Sequence, residues 1–243
     1  MLGSIPRTPT IINIIMKTLL TIGTSHTQSG FDFVDKKEEP DYFFKTWPGY
    51  LEQRLGTRVI NLGVAGHGID SIISRTWFAI DLYNPDCIIL EYPSVSRFSL
   101  SSDIFIDYEK HPLYNISHIV SSEENHWCQN VVNRKILTPS SKKTKFMLEW
   151  MSHIDEMTYI NHSLKFKTLR DYIRYKQIKV HYFIFSGNYK DALNDEWCMY
   201  PRRVYDLLVE NNVWLPSSDG TNHMSWETEK WFVDNFIIKE LKK

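Results

Sequence analysis

The chain has 243 residues, a formal net charge of -1, 42% hydrophobic residues and 23% charged residues. That length sits near the upper end of one α/β domain and supplies a sizeable core. The near-neutral balance provides no field for nucleic acid or an anionic membrane.

The first fifteen residues carry Pro6, Pro9 and one Arg7 and read as a disordered extension. The apolar run from Ile11 is interrupted by Asn13 and Lys17. It is too short for a membrane span, and no small-residue cleavage site follows it. Met16 directly precedes the first strand pattern and is a candidate natural start. The domain proper is expected over 16–243. Thr18–Ile22 reads as a buried strand ending at Gly23. Asp41–Leu55 reads as a helix with Pro48 marking a break or a late start. Arg58–Leu62 is a second strand. Ile69–Tyr83 is an amphipathic helix with Ile72, Ile73, Trp77 and Ile80 on one stripe. Asp86–Glu91 is a third strand after the Asn84-Pro85 turn. Residues 94–141 are polar and without period, and read as an insertion over the mouth of the site. Lys145–Gln177 returns to helix in two pieces. Lys179–Phe185 is a strand, Arg202–Asn211 a helix, and Val213–Leu215 a last short strand. Ser225–Leu241 is a helix capped by Ser225, with Glu227 and Glu229 in its first turn.

Strands alternating with helices define an α/β fold, a three-layer α/β/α sandwich on a mainly parallel five-stranded sheet. In such sheets ligands sit beyond the carboxyl ends of the strands. That rule points to four loops: 23–30, 61–68, 92–97 and 216–225. The first holds Ser25 on a strand-to-helix turn, where a hydroxyl can be exposed as a nucleophile. The second places Gly63, Gly66 and Gly68 in six residues, so backbone must approach something closely there. The last sets Asp219 four residues before His223, an acid and an imidazole ahead of a helix. Taken singly, Ser25 is also a plausible helix cap, the glycines a tight helix entry and His223 a loop histidine.

In chain order these pieces resemble the SGNH/GDSL hydrolase superfamily. Gly23-Thr24-Ser25 is similar to its Gly-Asp-Ser block, Asn61-Leu62-Gly63-Val64-Ala65-Gly66 to its Asn-x-Gly-x-x-Gly block, and Asp219 to His223 to its Asp-x-x-His block. Ile22–Thr27 with Tyr92-Pro93-Ser94-Val95-Ser96-Arg97 resembles a divergent group common in bacteriophage and in surface-polysaccharide gene clusters. The resemblance implies Ser25 as nucleophile, His223 as base, Asp219 as the residue orienting it, and the Ser25 and Gly63 N–H groups as the oxyanion hole. Three positions depart from the pattern. Thr24 stands where the family has Asp. Glu91-Tyr92-Pro93-Ser94 replaces the Gly-x-Asn-Asp block, which leaves Ser94, Ser96 or Arg97 as replacement donors. Asp219 lies one residue further from His223 than in the family.

The implied activity is hydrolysis of an ester, an O-acylated carbohydrate or related small molecule. O-acyl transfer uses the same groups. A non-catalytic carbohydrate- or acyl-binding domain of the same fold is the alternative. A flavodoxin-like nucleotide binder needs more glycine after the first strand than 23–30 provides. The 8 Trp, 13 Tyr and 13 Phe read as core anchors, with a ligand-facing aromatic surface as the second reading. Lys142, Lys143 and Lys145 read as a solvated loop. Cys87, Cys128 and Cys198 form no C-x-x-C pair, and a reduced, cytoplasmic setting is expected. No cofactor or metal is implied, because the histidines, His111, His118, His126 and His153 among them, form no ligand motif.

Overall fold

In a computed structural model, the described residues are 16–30, 32, 41–64, 68–92, 97–100, 117–120, 155–185, 198–200, 202–218 and 223–243. The proposed N-terminal extension and most of the 94–141 insertion lie outside them.

Strands β1 (Thr18–Gly23), β2 (Arg58–Gly63), β3 (Cys87–Tyr92) and β6 (Lys179–Ile184) form a four-stranded sheet in the order β2-β1-β3-β6. Every pairing in it is parallel. The two central strands, β1 and β3, are near-continuous buried runs, as a sheet covered on both faces requires. All six residues of β3 are buried. The helices are α1 (Ser25–Gln28), α2 (Trp47–Leu55), α3 (Ile69–Tyr83), α4 (Asp155–Tyr175), α5 (Val204–Glu210) and α6 (Trp226–Phe232). The last continues through a π-helical stretch, Val233–Ile237, into Ile238–Leu241.

Alternate residues of the strands feed two cores. Leu19, Val59, Cys87, Ile89 and Phe183 pack with Trp47 and Leu51 of α2, Val204 and Leu208 of α5, and Phe232, Val233 and Phe236 of the C-terminal helix. Leu20, Ile22, Ile88, Leu90 and Tyr182 pack with Ile69, Ile72 and Ile80 of α3 and Leu169 and Ile173 of α4. The result is the expected three-layer arrangement. Cys87 is fully buried, and burial pushes its thiol up to about 12, so it packs as a small hydrophobe. The chain leaves β1 towards β2, then crosses back over β1 to reach β3. The winding therefore reverses between β1 and β3, which makes their carboxyl ends the natural crevice.

Local signals set the start of α2. Pro48 lies in the first turn of α2, where its missing N–H costs nothing. Thr46 caps that helix by accepting from Gly49 N at 3.2 Å. The expected long helix over 41–55 is thus a 3-10 turn, Tyr42–Lys45, followed by α2. Trp77 departs from its expected core position. It is 41% exposed and stacks on Tyr172 of α4 at 5.1 Å. Strands β4 (Arg97–Leu100) and β5 (Ser117–Val120) form a separate antiparallel pair within the region expected to lack period.

The expected fifth strand, Val213–Leu215, is not in the sheet. Its backbone groups are engaged by the start of α6 instead. Leu215 N–H donates to Thr228 Oγ1 at 3.0 Å, and that hydroxyl donates to the Val213 carbonyl at 2.8 Å. Ser225 N–H donates to the Leu215 carbonyl at 2.9 Å. With these groups satisfied, a ladder to β6 has nothing to offer them. Thr228→Val keeps the shape but orphans the Leu215 N–H. It is expected to destabilise the protein by about 1–3 kcal/mol, read as a lower urea midpoint.

Candidate active site

Ser25 opens α1 one residue after the N-cap Thr24, at the carboxyl end of β1. It is 6% exposed. The turn is seated on the sheet by the absence of two side chains. A Cβ at Gly63 would lie 2.3 Å from Gln28 N and 2.4 Å from the Thr27 carbonyl carbon. A Cβ at Gly23 would lie 2.2 Å from Thr27 Oγ1 and 2.6 Å from Glu91 Oε2. Both glycines are needed for room, and what approaches the glycine loop is the backbone of α1 itself. Gly23→Ala forces a clash with the buried side chains of Thr27 and Glu91. A loss of about 3 kcal/mol is expected, at the top of the range for overpacking, visible as a depressed thermal midpoint.

Glu91, at the carboxyl end of β3, lies under the same turn and is 2% exposed. Its Oε2 accepts from Thr24 N at 2.8 Å, Thr27 N at 3.0 Å and Thr27 Oγ1 at 2.7 Å. Its Oε1 accepts from Thr24 Oγ1. On the other face, the buried guanidinium of Arg75 donates to the carbonyls of Leu62 and Gly23. Asn61 joins three elements. It accepts from Thr21 Oγ1 at 3.2 Å, and its Nδ2 donates to the Gln28 carbonyl at 3.3 Å. Its Oδ1 also accepts from Gly63 N at 2.9 Å. The Gly63 N–H, expected in the oxyanion hole, thus donates to Asn61 in this structure. The Ser25 N–H and hydroxyl make no hydrogen bond to a described residue.

The loop carrying His223 folds back on itself. Pro216 and Met224 form an antiparallel bridge, and Ser217 N–H donates to the His223 carbonyl at 2.9 Å. Asp32 ties both flanks together, accepting from Ser218 N and from Trp226 N, the latter at 2.6 Å. This loop meets the Ser25 turn. The ring of His26, the residue after Ser25, lies 5.2 Å from the His223 ring. His26 also stacks on Phe185 at 3.5 Å, just beyond β6. The turn and the loop thus converge from opposite ends of the chain, while Ser25 and His223 themselves share no hydrogen bond. Catalytic hydrogen bonds often tighten only when substrate is present. Asp219, Ser94 and Ser96 lie outside the described residues, and Arg97 opens β4.

Sequence reasoning missed His26, Glu91, Asp32 and Glu229. Glu229 looked like an acidic helix start, yet it is buried. It accepts from Ser29 Oγ at 2.7 Å and Gly30 N at 3.2 Å, joining α6 to the end of α1. Burial, reinforced by the nearby Asp32 charge and opposed by the bonds from Ser29 and Gly30, raises its carboxyl to about 8. The folded protein therefore holds a proton there that the unfolded chain releases near its ordinary value of 4.5. Stability contributed by this proton is complete below that value and is lost as pH rises towards about 8. Glu229→Gln cannot titrate, so its urea midpoint is expected to fall less between pH 5 and pH 8 than that of the wild type.

Among the described residues, no group of three or more His, Cys, Asp or Glu could hold a metal ion, and no helix is long and apolar enough to cross a membrane.

No protein-family model and no curated protein matches the chain. Solved structures similar to it include a G-D-S-L family lipolytic protein from Desulfitobacterium hafniense DCB-2, at 15% identity and TM-score 0.35 over 92% of this chain and 99% of that one. A catalytic mutant of Axe2, an acetylxylan esterase from Geobacillus stearothermophilus, is similar at 14% identity and TM-score 0.37 over 93% and 94%. The acetyl xylan esterase AlAXEase is similar at 11% identity and TM-score 0.34 over 89% and 96%.

Proposed function

We propose that the protein is a serine esterase, with Ser25 as nucleophile and His223 as its base. The observation that carries this reading is the meeting of the Ser25 turn with the His223 loop, marked by the His26–His223 ring contact of 5.2 Å. That meeting lies at the carboxyl ends of the strands, beside the point where the winding reverses, which is where this architecture places ligands. A hydroxyl at the start of a turn clamped to the sheet, with an imidazole on the neighbouring loop, is the arrangement acyl transfer needs.

The chemistry divides into two steps. Ser25 Oγ bonds to the acyl carbon while its proton passes to His223. The bond to the alcohol oxygen then breaks, and the departing alcohol takes that proton. Water attacks the acyl-enzyme, gives up a proton through His223 and releases the carboxylic acid with Ser25 restored. The Ser25 N–H is the proposed donor to the transient oxyanion, and Asp219 the proposed orienting acid. The proposed substrate is an O-acylated carbohydrate or related ester, and a sugar hydroxyl in place of water turns the same steps into acyl transfer.

The engaged Gly63 N–H favours a second reading, a non-catalytic binding domain of the same fold, because a site short of oxyanion donors loses about 10²–10³ in turnover per donor. A fluorophosphonate probe separates the two. Labelling of the wild type at Ser25, mapped by mass spectrometry, is expected, with none in Ser25→Ala and a rate about 10²–10⁴-fold lower in His223→Ala. Hydrolysis of 4-nitrophenyl acetate should follow the same order. An unlabelled wild type that still retains an acylated oligosaccharide would establish the binding domain instead.

A further inference from the structure

The turn that carries Ser25 is held by a side chain from another strand. Glu91 receives four hydrogen bonds, all from the two threonines that flank Ser25. Thr24 precedes the serine and Thr27 follows it by two residues. One oxygen, Oε2, gathers Thr24 N at 2.8 Å, Thr27 N at 3.0 Å and Thr27 Oγ1 at 2.7 Å. Helix starts are ordinarily capped by the N-cap side chain accepting from the third helical N–H. The Thr24 side chain makes no such bond. It donates to Glu91 Oε1 instead, and Glu91 takes the bond from Thr27 N. The carboxylate thus caps α1 from β3.

Three further observations single this group out. The site for the carboxylate is built, since Gly23 leaves the space and any Cβ there would come within 2.5 Å of Glu91 Cβ. The bonds bracket Ser25 on both sides, so they fix the direction of its Cα–Cβ bond and of its N–H together. Thr24 and Glu91 are also two places where the sequence departs from the Gly-Asp-Ser and Gly-x-Asn-Asp patterns, and they touch each other.

We infer that Glu91 is a positioning residue for Ser25, acting through Thr24 and Thr27 and never touching the reacting atoms. This assignment rests on the reading of Ser25 as the nucleophile. A turn released from its clamp lets the hydroxyl wander by about an ångström, and misplacement on that scale costs on the order of 10²-fold in rate. The loss falls on the bond-forming step and leaves probe binding nearly untouched.

The test separates those two quantities. Fluorophosphonate inactivation is followed for the wild type, Glu91→Ala and Glu91→Gln, each well below its own melting temperature. Glu91→Ala is expected to lower the maximal inactivation rate by about 30–100-fold, with half-saturation by the probe changed less than about threefold. Glu91→Gln keeps an acceptor oxygen for the two N–H groups and is expected to return to within about tenfold of the wild type. A Glu91→Ala protein that melts earlier but is inactivated at the wild-type rate would overturn the assignment and leave Glu91 a structural group only. If Glu91→Ala does not fold, Thr24→Val and Thr27→Val each remove one hydroxyl bond while keeping the shape. Each is expected to lower the maximal rate by about 3–10-fold, and unchanged rates in both would overturn it equally. A wild type that is not labelled removes the serine reading and this assignment with it. A labelled wild type with equally fast Glu91 variants removes the assignment alone.

Discussion

A buried carboxylate under a backbone turn is the constraint on which this end of the molecule depends. Burying a charge is costly unless hydrogen bonds replace the lost water, and Glu91 receives four. The cost and its compensation lock a single geometry. Without the four donors the carboxylate has no place in the sheet, and without the carboxylate the start of α1 has no cap. Gly23 and Gly63 are part of the same solution, because only bare backbone lets α1 come down far enough onto the strand ends.

Two other acidic groups extend this logic across the chain. Asp32 gathers the flanks of the His223 loop, and Glu229 ties α6 to Ser29 and Gly30. Segments almost the whole chain apart are thus joined by acidic side chains accepting backbone and hydroxyl donors. Hydrogen bonds of this kind are directional, so they set where the loops sit relative to one another. The two apolar cores set only that the layers pack. A neutral Glu229 suits this role, since it holds its place with less desolvation than an ionised one.

The layers were legible in the sequence because burial leaves a periodic trace. The apolar runs of β1, β2, β3 and β6 and the stripe of α3 fall within a residue or so of their expected limits. Val213–Leu215 misled because three apolar residues cannot show whether their N–H groups meet a strand or a threonine hydroxyl from a helix. The glycine pattern revealed a close approach but neither the α1 backbone that makes it nor the bond from Gly63 N–H to Asn61. Glu91 and Glu229 were the least legible. A carboxylate one residue from a strand end, or in a first helical turn, looks the same in sequence whether it faces water or a turn folded from the other end of the chain.

The C-terminal helix carries a different consequence. Its buried residues fall in pairs four apart: Thr228 and Glu229, Phe232 and Val233, Phe236 and Ile237. A regular α-helix, at 3.6 residues per turn, rotates such a series steadily away from its partner surface. The wider π turn over Val233–Ile237 absorbs that drift, and Ile238 stays in the core. The helix behaves like one lengthened by a single inserted residue whose register was conserved by local unwinding. Excising one residue from this stretch would restore the regular pitch and leave the residues after it on their present faces, whereas the same excision from a regular helix would turn them by about 100°.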